Sequence, residues 1–319
     1  MKILFTNVKA LASSIVFQIL RKEDDVKIVE HVGPMSEDEL IKMIAEIDAI
    51  VVDGRTYITE KVIESGRKLR IIARAGVGLD NIDVKAAKKR GIYVTCPRGA
   101  NANAVAEHVI MMMMALSKRI LRADQETRKG NYGFRDQFLN VELTGKTLGV
   151  IGFGAIGSRL ALIASNGFNM QVLVFDPYVT DQYAERHNAK LVNLKEILAE
   201  ADFISVNCAL TEETRGLIGE EELKSMKKTA YLINAARGNI VNEKSLYKAL
   251  SNGWIAGAGL DVFEQEPRLD PENPLFKLDN VVLSPHTATM TQEAMKNIGE
   301  AVAHSINAHK IYEGQQSHS

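Results

Sequence analysis

Short continuous apolar runs alternate with amphipathic stretches from the start of the chain. Residues 2–5, 26–29, 49–52, 71–73 and 92–95 form runs too short for helices and mostly apolar, as strands buried on both faces are. Ser36, followed three residues later by Glu39, makes a capping box that opens a helix over 37–47. A second series begins after the Gly145-Lys146 turn, with apolar runs at 147–151, 171–175, 202–206, 230–233, 255–260 and 281–284. Strands alternating with helical patterns imply βαβ units, so the pattern predicts an α/β fold of two Rossmann-like, doubly wound parallel-sheet domains. Between the two series, Val105, Val109, Met112, Leu116 and Ile120 recur at helical spacing, which predicts one connecting helix over 101–129. The methionines from Met111 to Met114 read as core or interdomain packing rather than as a soft ligand surface. Ala294, Ile298, Ala301, Val302 and Ile306 share one face of a final helix over 292–312, and the tail 314–319 is expected to fray.

Composition narrows the function classes. A chain of 319 residues with 46% apolar and 6% aromatic residues supplies two packed cores and no surplus of stacking groups. The net charge of −1 removes the broad attraction on which nucleic-acid and anionic-membrane binders rely, leaving room only for a local basic pocket. Two cysteines, Cys96 and Cys208, stand outside any CxxC or Cys/His cluster, which points to a reducing compartment and no metal site. The first seven residues are too short and polar for a signal peptide, and no run approaches the length of a membrane helix. A cytoplasmic protein is expected.

Two sets of residues carry chemistry. Gly152-Phe153-Gly154-Ala155-Ile156-Gly157 follows the run 147–151 directly and opens a helix. In that setting the glycines permit a tight turn, close approach of backbone to a pyrophosphate, and close packing of helix on strand. Asp176 stands at the end of the next run, where an acidic group accepts from both ribose hydroxyls and repels a 2′-phosphate, so NAD is the expected cofactor. Arg237, Glu266 and His286 each follow a predicted strand of the second series, the edge at which open α/β sheets place their ligands. Transfer of a hydride between NAD and a 2-hydroxy acid needs a base for the hydroxyl proton, for which His286 titrates in the right range. Glu266 would fix the tautomer of that imidazole, and the planar fork of Arg237 would hold the substrate carboxylate.

With these residues in place, the chain resembles the D-isomer-specific 2-hydroxyacid dehydrogenase family over nearly its whole length. The matching stretches include Arg74 to Asp83, Asn101 to Glu107, Gly145 to Gly149, the 152–157 loop, Asn234 to Gly238, Gly259 to Phe263 with Glu266-Pro267, and Ser284 to Ala288. The resemblance implies the triad Arg237, Glu266 and His286, and substrate contacts from Arg74, Val77, Gly78 and Asn101. It also implies NAD contacts from Gly152, Gly154, Ala155, Ile156, Gly157, Asp176, Cys208, Ala235 and Asp261. It implies a discontinuous substrate-binding domain of residues 1–98 and 287–319 around an NAD-binding domain of 99–286, with the active site in the cleft. A homodimer whose segment 121–138 arches over the partner is implied as well, in a short form with no regulatory domain after Ser319.

The resemblance leaves the substrate open among phosphorylated, sulfonated and plain 2-hydroxy or 2-keto acids, with 3-phosphoglycerate or hydroxypyruvate and glyoxylate in front. Asp53-Gly54-Arg55 stands where many phosphoglycerate dehydrogenases carry arginine followed by serine, which removes a phosphate partner at position 53. Arg55 and Arg74, with Arg98 or Arg135, remain as basic groups. Asn207-Cys208-Ala209 replaces a His-Val-Pro or His-Cys-Pro beside the adenine, and Asn131 to Phe134 stands where relatives carry tryptophan. Glu266 disfavours a formate dehydrogenase, which has glutamine there. An NAD-sensing corepressor of the same fold is the alternative from another functional class.

Overall fold

In each of two sheets the side chains of successive strand residues alternate between two apolar layers, as strands covered by helices on both faces require. The computed structural model describes residues 1–6, 11–20, 22 and 26–316. They divide into two units, Met1–Asn101 with Met290–Ser319, and Ala102–Thr289.

The first unit holds five parallel strands, β1 (Lys2–Phe5), β2 (Lys27–Glu30), β3 (Ala49–Val52), β4 (Ile71–Arg74) and β5 (Tyr93–Thr95), in the order β2-β1-β3-β4-β5. Leu4, Ile50, Val52 and Ile72 pack on one face with Leu40, Ile44, Val62 and Ile63. Ile3, Phe5, Val51 and Ile71 pack on the other with Val16, Leu20, Ile298, Val302 and Ile306. The helix Gln292–Gln316 thus belongs to the core of the first hundred residues although it ends the chain. It runs through residues 314–316, where fraying was expected, and the last three residues of that expectation lie outside the described residues. The capping box forms as read, with Ser36 Oγ accepting from the Glu39 N–H and the Glu39 carboxylate accepting from the Ser36 N–H, but its helix ends at Ile44.

The second unit holds seven parallel strands: β6 (Thr147–Ile151), β7 (Gln171–Phe175), β8 (Lys190–Leu191), β9 (Phe203–Val206), β10 (Tyr231–Asn234), β11 (Gly257–Leu260) and β12 (Val281–Leu283). Their order is β12-β11-β10-β9-β6-β7-β8, so the chain reverses its direction of travel across the sheet between β6 and β9. Crevices at such switch points, beyond the carboxyl ends of the strands, are where this class of sheet takes ligands. Leu148, Val150, Val174 and Ile233 face one layer and Ile151, Leu173, Ile204 and Leu232 the other.

The single helix expected over 101–129 is two, Ala102–Ser117 and Ile120–Arg128. Arg119 between them lies in the left-handed region at φ 50°, which ends an α-helix as a C-terminal glycine would. Its guanidinium sits 4.5 Å from the Phe138 ring centroid, a cation–π contact that anchors the break. The first of the two helices packs on β10, β11 and β12 rather than serving as a free connector, with Met112 and Met113 buried and Met111 and Met114 exposed.

Candidate active site

The three glycines of the 152–157 loop have three different reasons to be glycine. Gly152 leaves β6 at φ +93°, and a Cβ there would lie 2.4 Å from the backbone nitrogen of Cys208. A Cβ at Gly157 would lie 2.2 Å from the Gly152 carbonyl oxygen, so only hydrogen allows the following helix to sit so close to its strand. A Cβ at Gly154 would meet nothing within 4 Å. That open side lies at the N-terminus of the helix Ala155–Phe168, whose cap has no side-chain hydrogen bond, so its first N–H groups point outward with the positive end of the helix dipole. Backbone donors, positive potential and open space in one place suit a pyrophosphate.

Asp176 follows β7 and is tied to the same loop. Its Oδ2 accepts from the Phe153 N–H at 2.7 Å and its Oδ1 from the Tyr178 N–H at 2.8 Å. Each oxygen keeps a lone pair for a ribose hydroxyl, so the residues present fit a dinucleotide. Cys208 follows β9 against Gly152. Burial, helped by the nearby Asp176 charge, pushes its thiol up to about 11, so it stays protonated and poorly nucleophilic at neutral pH.

Arg237, Glu266 and His286 follow β10, β11 and β12, three neighbouring strands of one sheet. His286 Nδ1 lies 2.7 Å from Glu266 Oε2. A carboxylate only accepts, so the proton of this bond sits on Nδ1 and Nε2 is left for chemistry. The other oxygen of Glu266 accepts from the Phe263 N–H at 2.8 Å, which holds the carboxylate in place. Arg237 is carried on a turn shaped by the buried Asn234, whose Nδ2 donates to the Arg237 carbonyl and whose Oδ1 accepts from the Ala236 N–H. Ala235 lies on the same turn, half-buried and packed on the core.

Asp261, expected at the cofactor, has no exposed surface. Its Oδ1 accepts from Ser284 Oγ at 2.5 Å and from the Thr287 N–H at 2.8 Å, and its Oδ2 from the Ala288 N–H at 2.9 Å. Its backbone carbonyl accepts from the His286 N–H at 2.8 Å. Three successive peptide N–H groups are therefore held by one aspartate, and the first of these residues, His286, sits in the left-handed region at φ +55°. A non-glycine residue in that region persists only where its surroundings hold it. As the structure stands, Asp261 shapes the loop of His286 and presents no surface to a ligand.

Arg74, Val77, Gly78 and Asn101 all fall in the first unit. Arg74 ends β4, and its guanidinium lies against two glycines, 2.9 Å from where a Cβ would stand at Gly54 and 2.7 Å from one at Gly76. Val77 and Gly78 follow in the same loop, and Asn101 is buried just before the helix Ala102–Ser117. Asp53 at the end of β3 accepts from the Thr56 N–H at 3.1 Å and pairs with Arg55 Nε at 3.4 Å. Asn81 braces this turn by donating to the carbonyls of Asp53 and Thr56.

Comparison with known proteins bears on this arrangement. Residues 110–288 match the family model described as D-isomer specific 2-hydroxyacid dehydrogenase, NAD binding domain. A glyoxylate reductase of Korarchaeum cryptofilum is 43% identical over 87% of this chain and 84% of its own length. The chain belongs to the D-isomer specific 2-hydroxyacid dehydrogenase family. Its domain of residues 110–288 is accordingly an NAD-binding one. A D-3-phosphoglycerate dehydrogenase of Archaeoglobus fulgidus is 44% identical over 87% of this chain, which spans 52% of that relative's length. Among solved structures, the D-lactate dehydrogenase of Aquifex aeolicus, complexed with NAD and lactic acid, superimposes with a TM-score of 0.85 at 32% identity, over 98% of this chain and 97% of that one. No helix among the described residues is long and apolar enough to cross a membrane.

Residues that sequence reasoning passed over are Asn234, Gly238, Ser284 and His108. Gly238, Ser284 and His108 act on neighbours far along the chain and Asn234 on its own turn, and the matching stretches that contain three of them give no role to these positions. A Cβ at Gly238 would lie 2.0 Å from the Phe263 carbonyl carbon, so the turn that bears Arg237 packs backbone to backbone on the segment that leads to Glu266. Burial holds the His108 imidazole below its ordinary value, against the pull of Asp261.

Proposed function

We propose that the chain is an NAD-dependent reductase of small 2-keto acids, with His286 as acid and base, Glu266 orienting it and Arg237 holding the substrate carboxylate. The 2.7 Å bond between His286 Nδ1 and Glu266 Oε2 carries this reading, because it presents Nε2 to a substrate oxygen with its tautomer set. Gly152, Gly154, Ala155, Ile156 and Gly157 hold the pyrophosphate, and Asp176 takes the ribose hydroxyls. Bound NADH supplies the hydride for reduction and NAD accepts it in the reverse direction. His286 gives its Nε2 proton to the keto oxygen as that oxygen gains charge, and Glu266 stabilises the imidazolium that the next cycle requires. Arg237 grips the carboxylate with two parallel charge-assisted bonds and so fixes the keto carbon in one orientation. Arg74, Val77, Gly78 and Asn101 of the first unit complete the substrate contacts.

Within the first unit, two arginines, Arg55 and Arg74, stand with one carboxylate, Asp53, at the ends of β3 and β4. The cluster carries one net positive charge and a carboxylate that would face any second anionic group. That balance favours a singly charged acid such as glyoxylate or hydroxypyruvate over a phosphorylated one. NADH oxidation with glyoxylate, hydroxypyruvate, pyruvate, 3-phosphohydroxypyruvate and sulfopyruvate tests the reading. One of the first two is expected to exceed 3-phosphohydroxypyruvate in kcat/KM by about tenfold or more, the equivalent of about 1.4 kcal/mol. NADH binding without turnover of any of them would remove the enzyme reading and leave a cofactor-sensing binding protein.

Asp176→Ala is expected to reduce the preference for NADH over NADPH by about tenfold, since one charged hydrogen-bond acceptor is lost and a repulsive charge with it. The ratio of kcat/KM with the two cofactors reads this directly, and an unchanged ratio would take Asp176 away from the ribose.

A cytoplasmic homodimer is the state in which we place the protein. Leu121 and Tyr132 are exposed within the segment 121–138 that the family resemblance gives to the partner contact, and Ile120 and the 92% exposed Leu139 flank it. Light scattering on the purified chain gives the mass that decides it.

A further inference from the structure

The helix Ala102–Ser117 carries His108 to the root of the loop that bears His286, and neither the family comparison nor the function proposed above assigns it a part. Its Nε2 lies 2.9 Å from Ser284 Oγ and 3.5 Å from Asp261 Oδ1, and its side chain is 14% exposed. Donor accounting sets the direction of the chain. The Ser284 hydroxyl has one proton and spends it on Asp261 Oδ1, at 2.5 Å, so towards His108 its oxygen accepts and the imidazole donates from Nε2. The neutral imidazole that burial favours serves this purpose, provided its proton is on Nε2.

We propose that His108 is a positioning residue for hydride transfer, acting through Ser284 on the Asp261 carboxylate and so on the 286–288 peptide that aims His286. The Nε2–H of His108 holds the Ser284 hydroxyl in the one rotamer that points its proton at Asp261. With that rotamer set, Asp261 Oδ1 has two close donors, Ser284 Oγ and the Thr287 N–H, beside the longer bond from Thr287 Oγ1 at 3.5 Å, and Oδ2 has the Ala288 N–H. Those bonds, with the His286 N–H on the Asp261 carbonyl, keep His286 at φ +55°. Remove the His108 donor and the hydroxyl is free to turn, the carboxylate loses a fixed partner, and the strained peptide can relax. Small displacements of a reacting group matter out of proportion, since about 1 Å is worth about 10²-fold in rate. The inference rests on the reading of His286 as the acid–base group.

The experiment compares the full-length wild type with His108→Leu, His108→Gln, Ser284→Ala and the His108→Leu/Ser284→Ala double variant, reading kcat, KM and NADH affinity with the best keto acid. Glutamine places an amide N–H at the position of the imidazole Nε2, so it keeps the donor and loses the ring. His108→Leu is expected to lower kcat about tenfold with KM and NADH affinity changed less than about twofold, as for one lost hydrogen bond that acts on geometry alone. His108→Gln is expected to recover most of that loss, and the double variant to be no slower than Ser284→Ala. Wild-type kcat in His108→Leu, equal impairment of the leucine and glutamine variants, or additive losses in the double variant would each overturn the proposal. Where the leucine variant does not fold, Ser284→Ala decides, and wild-type kcat in it overturns the proposal too. His286→Ala is run beside them: full activity there would remove the reading of His286, whereas its inactivity alongside silent His108 variants would remove His108 alone.

Discussion

Replacing His286 with alanine is expected to lower kcat about 10³-fold while leaving the affinity for NADH within about twofold of wild type. A positioned proton donor and acceptor is worth about 10² to 10⁴ in rate, and no other titratable side chain stands in the loop 284–291 that follows β12. The cofactor residues Gly152 to Gly157 and Asp176 lie at the ends of β6 and β7, on other strands of the sheet, so removal of the imidazole leaves them untouched. The backbone should persist as well, because Asp261 holds residues 286–288 through their N–H groups and not through the His286 ring. Stopped-flow NADH fluorescence gives the affinity and steady-state absorbance the turnover. A variant within tenfold of wild-type kcat would take the proton transfer away from His286. Glu266→Gln provides a graded companion: it accepts one bond from Nδ1 but cannot stabilise an imidazolium, so its loss should be smaller than that of His286→Ala.

How much of this was legible in the sequence depends on whether a residue acts through its own type or through a distant partner. The strands were legible because a strand covered on both faces reads as a near-continuous apolar run, as at 49–52 and, with Ser205 as its one polar residue, at 203–206. The strand Lys190–Leu191 was not, being two residues long with one of them charged. The break at Arg119 was invisible for a related reason, since a left-handed arginine lacks the mark that glycine leaves. In the site, the glycine loop and Asp176 could be read because a close backbone approach and a ribose each demand one kind of residue at one spacing. Glu266 and His286 could be read because their chemistry names them. His108 and Ser284 meet across 176 residues, and a histidine on a helix and a serine after a strand have many uses, so nothing short of the fold could join them. Asp261 was assigned to the cofactor through the family resemblance; its hold on the backbone of the acid–base loop, through three successive N–H groups, could be read only from the fold.

Gly238→Ala tests how tightly the three strand-end loops depend on one another. The added methyl would fall 2.0 Å from the Phe263 carbonyl carbon, 2.1 Å from its oxygen and 2.5 Å from the Glu264 nitrogen. All three atoms are backbone, so no side chain can swing aside, and the turn after β10 must part from the segment after β11. Crowding of a packed interior costs about 1 to 3 kcal/mol, and contacts this short with unyielding atoms place the variant at the upper end, about 3 kcal/mol. For a domain of this size a loss of that order lowers Tm by several degrees, roughly 2 to 4 °C for each kcal/mol. The catalytic consequence should exceed the structural one. Arg237 precedes the glycine directly, and the Phe263 N–H that holds the Glu266 carboxylate belongs to the segment that is pushed away. Both the carboxylate grip and the orientation of His286 suffer from one methyl group, and kcat/KM is expected to fall by 10² or more, with about 1 Å of misplacement at each of the two residues. The dinucleotide loop lies on β6 and should keep its affinity for NADH in the fraction that remains folded. Differential scanning fluorimetry and NADH titration at a temperature well below the new transition separate the two effects. Unchanged Tm with unchanged kcat/KM would show that the two loops can move apart freely and that their backbone contact does not set the catalytic geometry.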